Sequence, residues 1–365
     1  MTLARAIWRC LQAVGTDRSV FSTLVLAVVL YGFFYPAAYY GQVASQMPVV
    51  VVDLDNTTLS RRILQNAATV RAVHVVRQCS SFNEASELLR ERQADAILLI
   101  PDGLEASVLR GKPGGVALYL SGAYLARTKE LGAGLGGAIV ASVKETIKPL
   151  AEAAGLQPAV QLIQSPLYNP LSGYGSAVVP AVAGLIAQQT LLLGVSMLVC
   201  RQREQKKWQA TAVNFFGSSL ACILIGCLSC LYFFGFVFWF QDYPRGGNLP
   251  GLLLTVPVFV LANVMLALWL GSLFDRAERP AQILTFTSIP FFFLSGASWP
   301  LSAMPAPMAA AAWLVPSTAG VRAFVKLNQM GSSLADIGQE LLVLGVLALV
   351  FGALAYRRLV LRAGG

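Results

Sequence analysis

The chain has 365 residues, 56% hydrophobic and 12% charged, against about 25% charged in an ordinary soluble domain. That balance excludes a soluble globular protein and describes a polytopic membrane protein, its apolar residues gathered in long runs around one large polar block. The net charge of +9 does not signal a nucleic-acid partner. Outside the polar block, Lys and Arg gather at Arg5, Arg9 and Arg18, at Arg201, Arg203, Lys206 and Lys207, at Arg276 and Arg279, and at Arg357, Arg358 and Arg362. Loops of the other parity hold only Arg245, and Arg322 with Lys326. This alternation is the positive-inside bias and predicts cytoplasmic termini.

Residues 1–19 are expected to form a cytoplasmic elbow, an interfacial helix with Leu3, Ile7, Leu11 and Val14 on one face and Arg5, Arg9 and Gln12 off it. The first span follows at Val20 to Tyr40, within a segment 20–42. Its basic flank and the small residues near Ala44 also suit a cleaved export peptide, although removing it would spoil the parity of the later spans.

From 43 to 172 strand and helix patterns alternate, which predicts an inserted extracytoplasmic α/β domain with a largely parallel sheet. The strands are expected at Val49–Leu54, Val73–Arg77, Ala96–Ile100 and Val116–Leu120, with a helix over Thr58–Ala67. Ser81 to Glu84 reads as a capping box opening a helix to about Arg92. A Gly/Ala-rich helical run follows over Tyr124–Ala154, where Gly132, Gly134, Gly136 and Gly137 would permit close packing, including against a second copy.

Asp53-Leu54-Asp55-Asn56-Thr57 after a run of valines matches the nucleophile loop of haloacid-dehalogenase-type phosphatases, but the block holds no acidic pair to complete a Mg²⁺ site; Asp95 and Asp102 stand alone. The structural reading is a turn at Asp55 or Asn56, with Thr57 capping the next helix. Of six cysteines, Cys79 alone falls in the block, so no disulfide framework forms there, and Cys222, Cys227 and Cys230 share one apolar span as small hydrophobes. His74 is the single histidine, and no metal constellation is visible.

The second part, 173–365, is expected to hold five more spans, at Ser176–Cys200, Phe215–Phe240, Leu249–Leu273, Ile283–Leu294 and Leu341–Leu359. Gln188, Gln189 and Thr190 in one and Asn263 in another are polar groups in apolar runs; they serve helix-to-helix hydrogen bonds or line a pathway. The fifth run breaks at Ser295-Gly296, Trp299-Pro300, Met304-Pro305-Ala306-Pro307 and Pro316-Ser317-Thr318. Between the breaks, Met308–Val315 and Val321–Leu327 stay apolar and read as re-entrant half-helices over about 295–330. A Pro-rich extracellular loop is the plainer alternative.

The series Leu294-Ser295-Gly296, Pro300, Met304-Pro305 and Pro316-Ser317-Thr318, with the order of segments along the chain, resembles the ABC-2 type transport permeases, membrane subunits of ATP-binding-cassette exporters. Tyr168-Asn169-Pro170 leading to Val179-Pro180 is similar to that family's approach to its second span. The resemblance implies a six-span dimer that forms the translocation path, with an extracytoplasmic gate around Leu294, Ser295, Gly296, Pro300, Met304 and Pro305. It also implies an ATPase contact at the loop holding Arg203, Glu204, Lys206 and Lys207, with Glu204 the nearest match to the family's acidic residue. The family's Gly-Thr and Pro after that acid are replaced by Lys207-Trp208 and Val213-Asn214, and the loop also reads as a plain topological charge cluster.

No Gly-x-x-x-x-Gly-Lys-Ser/Thr occurs, so this chain is not expected to be an enzyme or to bind a cofactor; ATP and Mg²⁺ would be bound by a separate ABC ATPase subunit. A second permease copy and membrane lipids are the other expected partners, and the resemblance leaves room for a periplasmic adaptor, which would fit a Gram-negative inner membrane. The competing readings are a membrane-anchored receptor or scaffold displaying the α/β domain, and the phosphatase.

Overall fold

A computed structural model describes residues 2–39, 45–91, 93–112, 115–120, 125–153 and 174–362. The chain divides into two compact units, one of Met1–Tyr40 with Pro166–Gly365 and one of Gly41–Ser165. Helix α1, Leu3–Thr16, is followed after Asp17 by α2, Arg18–Ala37. Asp17 separates them because its carboxylate accepts from the Ser19 and Val20 amides, capping α2.

The unit Gly41–Ser165 is built from β1 (Met47–Asp53), α3 (Thr58–Thr69), β2 (Val73–Cys79), α4 (Phe82–Arg90), β3 (Ala96–Ile100), α5 (Leu104–Leu109), β4 (Ala117–Leu120) and α6 (Leu125–Ala153). The sheet order is β2-β1-β3-β4, parallel except for the antiparallel β3–β4 pair. The valine run of β1 is buried on both faces. Val49 and Val51 join Leu59, Ile63, Leu131 and Leu135 under α3 and α6, while Val50 and Val52 meet Ala85 of α4.

In the Asp53–Thr57 turn, the Asp53 carboxylate accepts from the amides of Asp55 and Asn56, and Asn56 takes a left-handed φ of 51°. Thr57 caps α3 in a reciprocal box with Ser60. At Ser81 the predicted box forms by half: Ser81 accepts from the Glu84 amide, but the Glu84 carboxylate turns to the Ser80 amide and Arg77. One glycine of α6 makes a close contact inside this unit: a Cβ at Gly134 would fall 2.5 Å from Val70, whereas one at Gly132, 3.4 Å from Leu120, would make an ordinary contact. Tyr124, Ala154 and the Tyr168–Pro170 stretch lie outside the described residues.

The other unit continues with α7 (Tyr174–Glu204), α8 (Ala212–Phe240), α9 (Leu249–Leu273), α10 (Glu278–Phe286), α11 (Ser288–Leu294), α12 (Ala306–Ala312), α13 (Pro316–Gln329) and α14 (Ala335–Leu361). Among the described residues five helices, α2, α7, α8, α9 and α14, are long and apolar enough to cross a membrane, and α12 with α13, bent by 80°, makes a sixth only if the pair counts as one broken span rather than a re-entrant loop. The apolar run over Ile283–Leu294, expected as a helix interrupted at Pro290, is two pieces meeting at Thr287. Pro290 has no N–H for the carbonyl four residues back, and the Thr287 amide bonds the Leu284 carbonyl in a tightened turn. On α1 the buried residues are Ala6, Cys10 and Val14, while Leu3 is exposed. This face seats on α8, where a Cβ at Gly217 would lie 2.3 Å from that of Ala6.

Candidate functional site

A groove of about 640 Å³ lies between α2, α7 and the α10–α11 pair. Its walls are mostly apolar, with Leu30, Leu185, Ile186 and Phe292 among them, and its polar groups are the hydroxyls of Ser22, Thr23, Tyr31, Tyr35, Thr190, Thr285 and Ser288 and the Gln189 amide. A mostly apolar cavity with a few hydroxyls and one amide suits amphipathic small molecules or acyl chains.

Gln188 and Gln189 explain why the broken backbone is stable beside it. Gln189, on the groove side of α7, donates to the Leu284 carbonyl at 2.6 Å and reaches the Thr287 hydroxyl at 3.5 Å, so it holds the break between α10 and α11. Gln188, fully buried, donates to the Ser317 hydroxyl at 3.1 Å at the start of α13, where Thr318 in turn donates to the Leu294 carbonyl. Two successive amides of one helix therefore clamp both ends of the segment between α10 and α13, satisfying polar groups that hydrocarbon would leave unpaired. Asn263 is not part of this set: it is buried in α9, donates to the Phe259 carbonyl of its own helix, and does not line the groove.

The residues expected at an outer gate fall in the bend itself. Leu294 ends α11, Ser295 is buried with its hydroxyl on the Phe292 carbonyl, and Gly296 turns the chain with a φ of +81°. Pro300 opens a single 3₁₀ turn that ends at Met304, and Pro305 precedes the first turn of α12. Ser295 and Gly296 also border a smaller cavity of about 310 Å³ beside Arg322 and Lys326 of α13. Those two cations converge on Glu340 of α14, at 3.3 and 2.8 Å, with the Glu340 side chain 1% exposed.

The residues expected to couple to an ATPase lie where α1, the end of α7, the end of α9 and the end of α14 meet. Arg203 donates to the Ser272 and Phe274 carbonyls at 2.8 and 3.2 Å, and Glu204 accepts from the Ala277 amide at 3.3 Å. Both side chains thus bind the α7–α8 loop to the α9–α10 loop. Arg358 of α14 donates to the same Ser272 carbonyl, and Trp208 donates to the Leu359 carbonyl. Positive charge at the C-terminal carbonyls of α9 also suits that helix's dipole. Lys206, with a left-handed φ of 55°, and Lys207 are exposed, and Arg9 of α1 hydrogen-bonds the Lys207 carbonyl. A cleft of about 360 Å³ opens here, lined by Arg203, Glu204, Trp208 and Asp275.

At the opposite end, the α8–α9 loop is stitched to the end of α13. The Gly247 and Asn248 amides donate to the Asn328 and Leu327 carbonyls at 3.1 and 2.8 Å, and a Cβ on Gly247 would fall 2.6 Å from the Gly331 Cα. The groove residues Tyr31, Thr285 and Ser288, and the Ser272 junction, carried no pattern in the sequence beyond single hydroxyls in apolar runs. The nearest available signal was Tyr31 with Tyr35, one turn apart on a span.

In the polar unit, Asp55 is committed on both carboxylate oxygens. It accepts from the amides of Leu104 and Glu105 at the start of α5 and from the Thr57 hydroxyl, while Glu105 accepts from the Leu59 amide at the start of α3. Each of the two helices is thus capped by an acid from the other's neighbourhood, a structural use of the aspartates.

Membrane-length helices, a broken segment clamped by buried amides and a groove beside it define a polytopic helical membrane protein. The chain belongs to the ABC-2 transporter family, matching the family described as ABC-2 family transporter protein over residues 18–357. It is similar to "Probable multidrug ABC transporter permease YbhR" of Escherichia coli (strain K12), with 21% identity over 357 residues and 95% of each chain covered. The protein of the same name from Escherichia coli O157:H7 matches to the same extent. The chain is accordingly a membrane permease subunit of an ABC transporter.

Proposed function

We propose that this permease exports amphipathic small molecules through a path that includes the α2–α7–α10 groove, working as a dimer above two separate ATPase subunits that bind ATP and Mg²⁺. The observation that carries it is the groove of about 640 Å³ set against a broken helix held by Gln189. Such a break can re-form its hydrogen bonds without exposing backbone to lipid. The multidrug wording in the relative's name supports the substrate class.

In this reading the chain crosses six times, α10 with α11 making the fifth crossing and α12 and α13 lying after it as re-entrant halves, with termini in the cytoplasm and the α/β unit outside, consistent with the Lys and Arg distribution. A bacterial cell membrane, and a Gram-negative inner membrane if an adaptor joins the α/β unit, is the setting that fits. ATP binding would push on the α7–α8 loop. Because Arg203 and Glu204 hold the α9–α10 loop, that push would reach α10 and α11, and with them the bend from Leu294 to Pro305.

The test is energy-dependent efflux of a fluorescent amphipathic cation from cells that express the permease with its ATPase. Leu185→Trp, which fills the groove, and Gln189→Leu, which frees the Leu284 carbonyl, are each expected to cut efflux at least tenfold at unchanged membrane level. Efflux equal to wild type in both variants would place the path elsewhere.

A further inference from the structure

A second cavity, of about 590 Å³, opens where the end of α1 and the start of α2 face the end of α7. Arg9, Asp17, Arg18, Arg201, Gln202 and Lys207 are on its wall. Asp17 is the one carboxylate there and is spent: one oxygen caps α2 through Ser19 and Val20, the other pairs with Arg201 at 2.7 Å. Arg9, Arg18 and Lys207 remain, and none of the three has a carboxylate within 4 Å among the described residues. Arg9, which donates to the Lys207 carbonyl, and the exposed Arg18 and Lys207 thus border one cavity whose single carboxylate is already paired, and an anion there would balance the excess positive charge.

The cavity's place says which anion. Arg18 is the first residue of α2, and beyond it Phe21, Val29 and Phe34, which lie off the groove, are exposed along that membrane-length helix, so an apolar surface suited to hydrocarbon starts beside the cavity. On the outer side of α1, Trp8 is 63% exposed and Leu3 47%, the placement of an aromatic anchor at a membrane surface. A phosphate entering here would carry acyl chains that run down the face of α2.

We propose that this cavity binds the phosphate headgroup of an anionic phospholipid, fastening the α1–α2 elbow to the α7–α8 loop. The shared chemistry is a phosphate, and free phosphate is the competing source. The site rests on the placement of Arg18 at a membrane surface, not on which leaflet that surface belongs to.

The experiment is a thermal-shift titration of the full chain in neutral detergent with short-chain phosphatidylglycerol, short-chain phosphatidylcholine or inorganic phosphate. Phosphatidylglycerol is expected to raise the melting temperature saturably and phosphatidylcholine not to, with the difference shrinking as salt rises. Arg18→Gln with Lys207→Gln should weaken that response roughly tenfold to thirtyfold, about one Lys or Arg contribution each. Arg276→Gln with Arg279→Gln, in another basic loop, should leave it intact.

The double variant's own melting temperature without lipid reports whether it folds; if it is lowered, Arg18→Lys, which keeps the charge, must restore the response. Equal stabilisation by both lipids, or a full response in the double variant, overturns the proposal. Inorganic phosphate stabilising as well as phosphatidylglycerol overturns the headgroup assignment. Detergent exposes both faces, so an inverted topology would leave the result unchanged and show only in residue-labelling of intact cells.

Discussion

Asp53 and Asp55 sit two residues apart in a loop that mimics a phosphoryl-transfer motif, and the atoms they engage separate them. Asp53 uses one oxygen as acceptor for two amides, which an Asn side-chain oxygen can do as well. Asp53→Asn is therefore expected to change the melting temperature of the purified chain little and to leave transport intact; loss of a phosphatase activity in that variant would revive the enzymatic reading. Asp55 is different, since its charge satisfies the first amides of α5 and the Thr57 hydroxyl. Asp55→Ala should cost about 3 kcal/mol, seen as early unfolding and as protease cleavage within the polar unit. Glu340 is the other residue with an outsized role: it holds Arg322 and Lys326 from a buried position. Removing it takes the carboxylate from two partly solvated cations, of which Lys326 also holds the Asp336 carbonyl, and Glu340→Ala should cost about 2 kcal/mol, while Glu340→Gln, which keeps a hydrogen-bond acceptor, should cost less.

Among the elements, what could be read in advance followed periodicity. β1 and the membrane-length helices announce themselves through runs of apolar residues, and Thr57 through cap chemistry. The break at Thr287 was displaced from the expected site at Pro290 because proline frees the carbonyl a turn earlier, and the chain tightens there. The buried face of α1 also differed from the widest apolar stripe. Small residues, Ala6 and Cys10, let α1 approach Gly217 of α8, and closeness outweighs bulk. Gly217→Leu should therefore lift α1 off α8 and lower stability by about 2 kcal/mol, measured as loss of protection of α1 in hydrogen exchange. The groove was not legible, because Tyr31, Gln189 and Thr285 come from three distant stretches, none unusual by itself. Gln188 and Gln189 stood out as polar, yet their division of labour between two breaks depends on tertiary geometry.

At the scale of the whole molecule, the junction at Ser272 ties three helix ends together through Arg203 and Arg358. Arg203→Ala with Glu204→Ala should leave the chain able to recover an ABC ATPase subunit in a mild-detergent pull-down, yet uncouple ATP hydrolysis from efflux by at least tenfold. Recovery of no P-loop ATPase by the folded wild-type chain, after crosslinking, would instead favour a receptor or scaffold.

The stitching of Gly247 and Asn248 to the end of α13 bears on which parts can travel. Backbone this close, without side chains between, has no slack, so the far end of α13 is geared to α9 and behaves as stator rather than rotor. Around the bend the described residues show no comparable backbone weld, only side-chain bonds, from Gln189 to Leu284 and Thr287 on one side and from Gln188 to Ser317 and Thr318 to Leu294 on the other. Any displacement of the bend would therefore be taken up by the short pieces from α10 to α12, with Thr287 and Gly296 as its natural hinges.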